Sequence, residues 1–220
     1  LATRAEHISA SLVRYPEIMA RAVACASDLA GLMEKASVLA LGPGLGLAPW
    51  GQQLYQAAMT CGKPVVLDAD GLNLLAAATA GVTCPGPSII TPHPAEAARL
   101  LGITTAQVQA DRIAAVKALV ALTQATVVLK GAGTLVADSE QVFIANVGNP
   151  VLATAGSGDV LCGLIAGLWA QGLAPLHAAL AGVCLHGALA DCLARQSPYG
   201  HSASNLVGAI PQLFSALEVC

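Results

Sequence analysis

The segment Asn149-Pro-Val-Leu-Ala-Thr-Ala-Gly-Ser-Gly-Asp159 runs straight into the apolar stretch from Val160 to Ala170, so its glycines, serine and carboxylate fall at the start of a helix. Small residues let the backbone N–H groups of Gly156, Ser157 and Gly158 converge at the positive end of a helix dipole, which receives an anion. Asp159 stands beside those donors. An anion repels a carboxylate there unless the carboxylate takes a proton from the reacting group or holds a cation for it. The competing reading is an ordinary N-cap by Ser157 or Asp159.

Four further segments carry residue types that do chemistry. Asp68-Ala-Asp70 puts two carboxylates among apolar residues, where strand alternation places both on one face to hold a cation or a water; Asp70 alternatively caps a helix beginning near Leu72. In Thr91-Pro-His-Pro-Ala-Glu96 two prolines fix the backbone of His93, which serves a ligand or packs at a loop rim. Glu96 falls in the first turn of the next helix, where the dipole favours it as a cap. Lys130-Gly-Ala-Gly-Thr134 offers a strand-ending cation to a phosphate, or is simply a hairpin loop. Gly42-Pro-Gly-Leu-Gly46 suits either a backbone that approaches a ligand closely or a tight turn. It lacks the spacing and acidic partner of a dinucleotide fingerprint.

These segments need a scaffold that brings loops together. Short β-rich runs alternate with Ala/Leu-rich helical ones: strands at 37–41, 63–68, 88–91 and 126–130, a hairpin over 134–138 and 141–145, and helices at about 49–60, 72–80, 94–101 and 106–122. Thr3 to Glu6 reads as a capping box opening a first helix that Pro16 interrupts, and the chain is mostly helical from Ser157 onward. Such alternation implies right-handed βαβ units and a mostly parallel sheet covered by helices on both faces, with ligands beyond the carboxyl ends of its strands. All five segments follow strands or open helices, and without repeats or linker-like tracts residues 1–220 read as one domain.

The 220 residues are 55% hydrophobic, 10% charged and 3% aromatic with a net charge of −3. That composition rules out disorder, and it offers nucleic acid neither a basic surface nor stacking platforms. The apolar run from Val160 is broken by Gln171, Gly172 and Pro175, so it reads as a buried helix and no membrane partner is expected. The seven cysteines form no CxxC pair or metal spacing, which points to reduced thiols and a cytoplasmic protein. Leu1 to Glu6 holds neither a signal core nor an initiator Met and reads as the interior of a longer chain.

Taken together, Gly42–Gly46, Val66–Asp70, Thr91–Glu96, Val128–Thr134 and Gly148–Pro150 with Ala155–Leu161 resemble the ADP/ATP-dependent NAD(P)H-hydrate dehydratases of the ribokinase-like superfamily, in order and from Leu1 to about Ala194. The resemblance implies a three-layer fold and repair of hydrated NADH or NADPH using ADP or ATP with Mg²⁺: phosphorylation of the ring hydroxyl, then elimination of phosphate. It implies Asp159 as the base, Lys130, Gly131, Ala132, Gly133, Thr134, Gly156, Ser157 and Gly158 at the nucleotide, Gly44, His93 and Asp159 at the hydrate, and no dedicated protein metal site. It also implies a homo-oligomer, an epimerase domain fused in some parent chains, and an N-terminal strand and helix preceding Leu1. A ribokinase-like small-molecule kinase and a silent nucleotide-binding module are the two alternatives.

Overall fold

The computed structural model describes residues 1–78 and 82–217. At the start β1 (Ala2–Thr3) pairs in parallel with β2 (Arg21–Ala22) around α1 (Ala5–Arg14). The expected capping box is not made. Thr3 belongs to the small sheet, and Arg4 stands at the N-cap of α1 without a side-chain cap. After α2 (Ala30–Lys35) come β3 (Leu39–Leu41), α3 (Pro49–Thr60), β4 (Val65–Leu67), α4 (Asp70–Ala76) and β5 (Ser88–Ile90). Short of the expected end at Ala80, α4 stops at Ala76 with Ala77 as its C-cap; residues 79 and 80 lie outside the described residues.

The expected helix over 106–122 is two: α5 (Pro94–Leu101) is followed by α6 (Thr105–Ala110) and α7 (Arg112–Thr123). Asp111 between them leaves the helical region (φ −145°, ψ 86°) and caps α7, its Oδ1 accepting from the Ala114 N–H at 2.8 Å. An aspartate competes for backbone donors, which makes it a better cap than interior residue. Then follow β6 (Thr126–Leu129), the hairpin β7 (Leu135–Ala137) and β8 (Val142–Ile144), α8 (Ser157–Ala170), α9 (Pro175–Gln196) and α10 (Ala203–Leu217).

The six strands β3 to β8 lie side by side in chain order, the first four parallel and the last two antiparallel. Right-handed crossovers between strands added always in one direction must put their helices on one face. Accordingly α3 to α7 cover a face where Leu67, Ile90, Val127 and Leu129 meet Tyr55, Leu72, Leu100 and Leu119. The alternate residues Val66, Ile89, Val128 and Val136 point the other way and are covered by Leu161, Ile165, Ala179 and Val183 of α8 and α9. These sheet residues are fully buried on both faces, each contributing roughly 1.5–3 kcal/mol. The third layer is completed by α10, whose Leu206 and Ala209 pack on Leu189 and Ala190 of α9. Alone among the described helices, α9 is long and apolar enough to cross a membrane; here it is a core helix against α8 and the sheet. The six described cysteines are all free; Cys220 lies outside the described residues.

Candidate functional site

The carboxyl ends of β3 to β6 open on the same edge as the first turn of α8, and the residues singled out above gather there. Asp68 follows β4 and is buried; its Oδ1 accepts from Lys130 Nζ at 2.7 Å, across from the end of β6. Glu96 Oε2 lies 4.0 Å from the same ammonium. The two carboxylates of Asp68-Ala-Asp70 do not face one site. Ala69 between them adopts φ 47°, so Asp70 turns away, opens α4 and accepts the Gly46 N–H at 2.9 Å on Oδ2. Asp70 is therefore no cap for a helix at Leu72; it pins the 42–46 loop. That loop runs tight against Asp68: a Cβ on Gly42, where φ is +126°, would sit 1.8 Å from the Asp68 carbonyl oxygen. Gly44 also has positive φ and stands in open space beside this contact.

His93 is the N-cap of α5. Its Nδ1 accepts from the Ala95 and Glu96 N–H groups at 3.1 and 3.4 Å, while Glu96 Oε2 accepts from the His93 N–H at 2.8 Å. Glu96 thus caps the helix as expected. A ring nitrogen that accepts two N–H groups carries no proton, so the neutral ring keeps its proton on Nε2. The side chain is 49% exposed, and this Nε2 lies 3.5 Å from Glu96 Oε1.

The Lys130–Thr134 loop is held from behind. Arg112, freed from helix continuity by Asp111, donates to the carbonyls of Leu129 at 3.1 Å, Lys130 at 3.3 Å and Ala132. Gly131 has φ +141°, and a Cβ there would meet Arg112 Nη2 at 3.0 Å. Burial lowers the Arg112 pKa. Thr134 Oγ1 closes the loop on the Gly131 carbonyl at 3.0 Å.

At the start of α8, Gly156 is the N-cap in the left-handed region and no side chain caps the helix. Neither Ser157 nor Asp159 is the N-cap. Ser157 instead ties the approach together, its N–H on the Thr154 carbonyl at 3.3 Å and its Oγ on the Leu152 carbonyl at 2.6 Å. The anion donors left in this turn are therefore the N–H groups of Gly158 and Asp159. Gly158 stands against the ion pair: a Cβ there would lie 3.3 Å from Lys130 Nζ and 3.5 Å from Asp68 Oδ2. Asp159 is exposed at its tip, yet its pKa is raised, first by partial desolvation and then by the Asp68 charge, with Lys130 opposing. That is the adjustment a general base requires.

Two cavities meet here. One of about 230 Å³ is bounded by His93, Lys130, Thr134, Ser157, Gly158 and His186. It shares Gly131, Thr134 and Leu152 with one of about 580 Å³ between Gly131–Thr134 and Ala145–Pro150. The far wall of the larger is secured by Asn149, whose Nδ2 donates to Asp191 Oδ1 on α9 at 2.8 Å. An anion in the smaller cavity, on the α8 N-terminus and Lys130, leaves the larger for the rest of its molecule. Among the described residues no three His, Cys, Asp or Glu side chains form a metal cage.

Arg112, Asp191 and His186 went unread in the sequence. The Asp-Arg pair inside an Ala/Leu helix, and the second His and the one Asp of α9, are their only signals.

The chain matches the NAD(P)H-hydrate dehydratase family over residues 1–212. It is 47% identical over 207 residues to the ADP-dependent (S)-NAD(P)H-hydrate dehydratase of Neisseria meningitidis, covering 91% of this chain and 68% of that protein. Against the bifunctional NAD(P)H-hydrate repair enzyme of Coxiella burnetii it is 44% identical over 202 residues, covering 89% of this chain but spanning only 40% of the relative's length. The crystal structure of the ADP/ATP-dependent NAD(P)H-hydrate dehydratase of Bacillus subtilis co-crystallised with ATP/Mg²⁺ superposes with a TM-score of 0.84 at 31% identity, over 96% of this chain and 76% of that one.

Proposed function

The chain belongs to the NAD(P)H-hydrate dehydratase family, and from that membership we propose that residues 1–220 form one dehydratase domain returning the S-form of hydrated NADH or NADPH to the reduced cofactor with ADP or ATP. The observation that carries this reading is the convergence of Lys130 and the uncapped first turn of α8 on joined cavities, with the raised-pKa Asp159 on that same turn, where it borders a separate apolar cavity beside Leu1 and Tyr15.

The nucleotide lies along Lys130–Thr134, with Arg112 holding that backbone, and its terminal phosphoryl group faces the Gly158 and Asp159 N–H groups. The hydrate's ring hydroxyl approaches Asp159, with Gly44 and the Nε2–H of His93 as its other contacts. Asp159 accepts the hydroxyl proton as the oxygen forms a bond to phosphorus and the bond to the departing AMP or ADP breaks. Charge on the transferring group is met by the helix N-terminus and Lys130, fixed donors that need no rearrangement. Phosphate then leaves the ring carbon with its bonding electron pair, and loss of a proton from the neighbouring carbon restores the double bond. The Asp68–Lys130 ion pair keeps the ammonium at the site.

Mg²⁺ fits this reading as a nucleotide-borne ion. It retains several waters and takes one or two carboxylates besides phosphate oxygens, and Asp68 Oδ2, which faces Gly158, is the protein oxygen available to it. When bound, it neutralises phosphate charge. A homo-oligomer, and an epimerase that converts the other hydrate form, complete the proposal.

Incubation with NADH hydrate and ADP or ATP tests it. The expected result is return of the reduced-nicotinamide absorbance with one phosphate released per turnover; a phosphorylated product that accumulates without that absorbance would identify a kinase instead.

A further inference from the structure

Gly187 and Asp191 stand one turn apart on α9 and so share one face of the helix. That face is pressed against the segment that leads from β8 to α8. A Cβ on Gly187 would meet Val147 Cγ2 at 2.6 Å and the Gly148 nitrogen at 2.9 Å, so the helix backbone itself abuts the segment. One turn on, Asp191 Oδ1 accepts from Asn149 Nδ2 at 2.8 Å. Val147, Gly148 and Asn149 line the 580 Å³ cavity opposite Gly131–Thr134, whereas Asp191 stands behind them and does not line it.

This bond fixes which way the Asn149 amide faces. A carboxylate only accepts, so it draws the amide nitrogen toward α9. The amide oxygen is left to the Val151 N–H, which it accepts at 3.0 Å. Pro150 has no N–H to offer, so Val151 supplies the first donor of the turn over Pro150–Leu152. The turn ends on Leu152, whose carbonyl accepts Ser157 Oγ at 2.6 Å, and Ser157 opens α8. One hydrogen-bonded path thus runs from α9 through the cavity wall to the start of α8.

We propose that Asp191 is a positioning residue for nucleotide binding: through Asn149 it holds the wall of the larger cavity in register with the first turn of α8. This rests on the reading of the joined cavities as a nucleotide site and deepens it. A nucleotide that spans both cavities needs wall and turn in place together. Lys130 and α8 are held independently, by Asp68 and by the core. Losing Asp191 therefore weakens nucleotide binding and spares the chemical step.

Calorimetry with ADP and kinetics with NADH hydrate, both on the whole chain, test this. Asp191→Leu removes the acceptor and should weaken ADP binding about tenfold, the worth of one hydrogen bond to a charged group. The nucleotide KM should rise in step, with kcat within about twofold of the parent. Asp191→Asn keeps an acceptor oxygen and should recover most of the loss. Asn149→Asp sets two carboxylates face to face; adding Asp191→Asn to it restores donor and acceptor in exchanged places and should tighten ADP binding again. Amide exchange followed by NMR without nucleotide gives a separate readout: the Val151 N–H should exchange faster in Asp191→Leu while the amides of β4 keep their parent rates. An ADP affinity in folded Asp191→Leu equal to the parent's overturns the proposal, as does a loss that Asp191→Asn leaves unrecovered or a kcat that falls as far as the affinity. A parent chain that binds ADP but turns over no hydrate keeps the positioning role and removes the dehydratase reading; one that binds no ADP removes both.

Discussion

At the scale of single residues, the proposed mechanism turns on how Asp159 is kept ready to accept a proton. Replacing it with Asn keeps the shape but removes the base, so turnover should drop by roughly 10²–10⁴-fold while nucleotide affinity, read by calorimetry, stays nearly constant. The raised pKa of Asp159 fixes a sign as well. The active form is the carboxylate, so kcat/KM should fall on the acid side at a higher pH than an ordinary aspartate would give. Asp68 raises that pKa and Lys130 lowers it, so Asp68→Asn should move the acid limb to lower pH and Lys130→Met to higher pH. Coincident limbs in all three enzymes would remove Asp159 from the role. Asp159, Lys130 and the glycines beside them were legible because their types stand out against an apolar sequence. The pairing of Lys130 with Asp68 was not, since the two are 62 positions apart and only the sheet brings the ends of β4 and β6, with β5 between them, within reach of each other. His93 read as a ligand or a rim residue, and the structure shows how one ring does two things: one nitrogen caps α5, and the other, on a half-exposed ring, lies 3.5 Å from Glu96 Oε1.

At the scale of elements, the strands and most helices followed from the alternation of apolar runs, but the single helix expected over 106–122 hid the device that shapes the nucleotide loop. Periodicity continues through Asp111, so pattern alone joins α6 to α7; the break comes from the side chain's competition for the Ala114 N–H. The break sets Arg112 at the head of α7 facing three carbonyls. Arg112→Met should raise the nucleotide KM about tenfold, roughly the worth of one charged hydrogen bond, with a smaller effect on kcat; steady-state kinetics with ADP and ATP measure both. The 42–46 loop makes the opposite demand, for absence of a side chain. Gly42→Ala forces a Cβ into the Asp68 carbonyl at a φ of +126°, and should destabilise the protein by about 3 kcal/mol or more in urea unfolding.

At the scale of the whole molecule, ligand and proton both couple to folding. Nucleotide bound by the native state alone should add about 2.7 kcal/mol at a hundredfold excess over its Kd, seen as a rise in Tm. His186 works in the other direction under acid. Its folded pKa of about 4 lies below the unfolded value of 6.5, so the unfolded chain takes up a proton first, and stability present above pH 6.5 is lost progressively as pH falls toward 4, by about 3 kcal/mol at most. Urea midpoints over that window should therefore decline less steeply for His186→Gln. The layered architecture was legible from strands alternating with helices, whereas the allotment of helices to faces needed the strand order, which no local pattern contains.

That order has a consequence for how the enzyme is made. Since each strand of the central sheet pairs with its predecessor in the chain, a ribosome delivers them in the sequence in which they dock, and no strand waits for a later one to be inserted between its neighbours. Asp68 and Lys130 can meet once β6 has emerged. The α8 turn proposed to receive the phosphate, with Asp159 on it, emerges only afterwards, and α9 and α10 later still, so a nascent chain acquires its charged floor well before the proposed nucleotide site is complete.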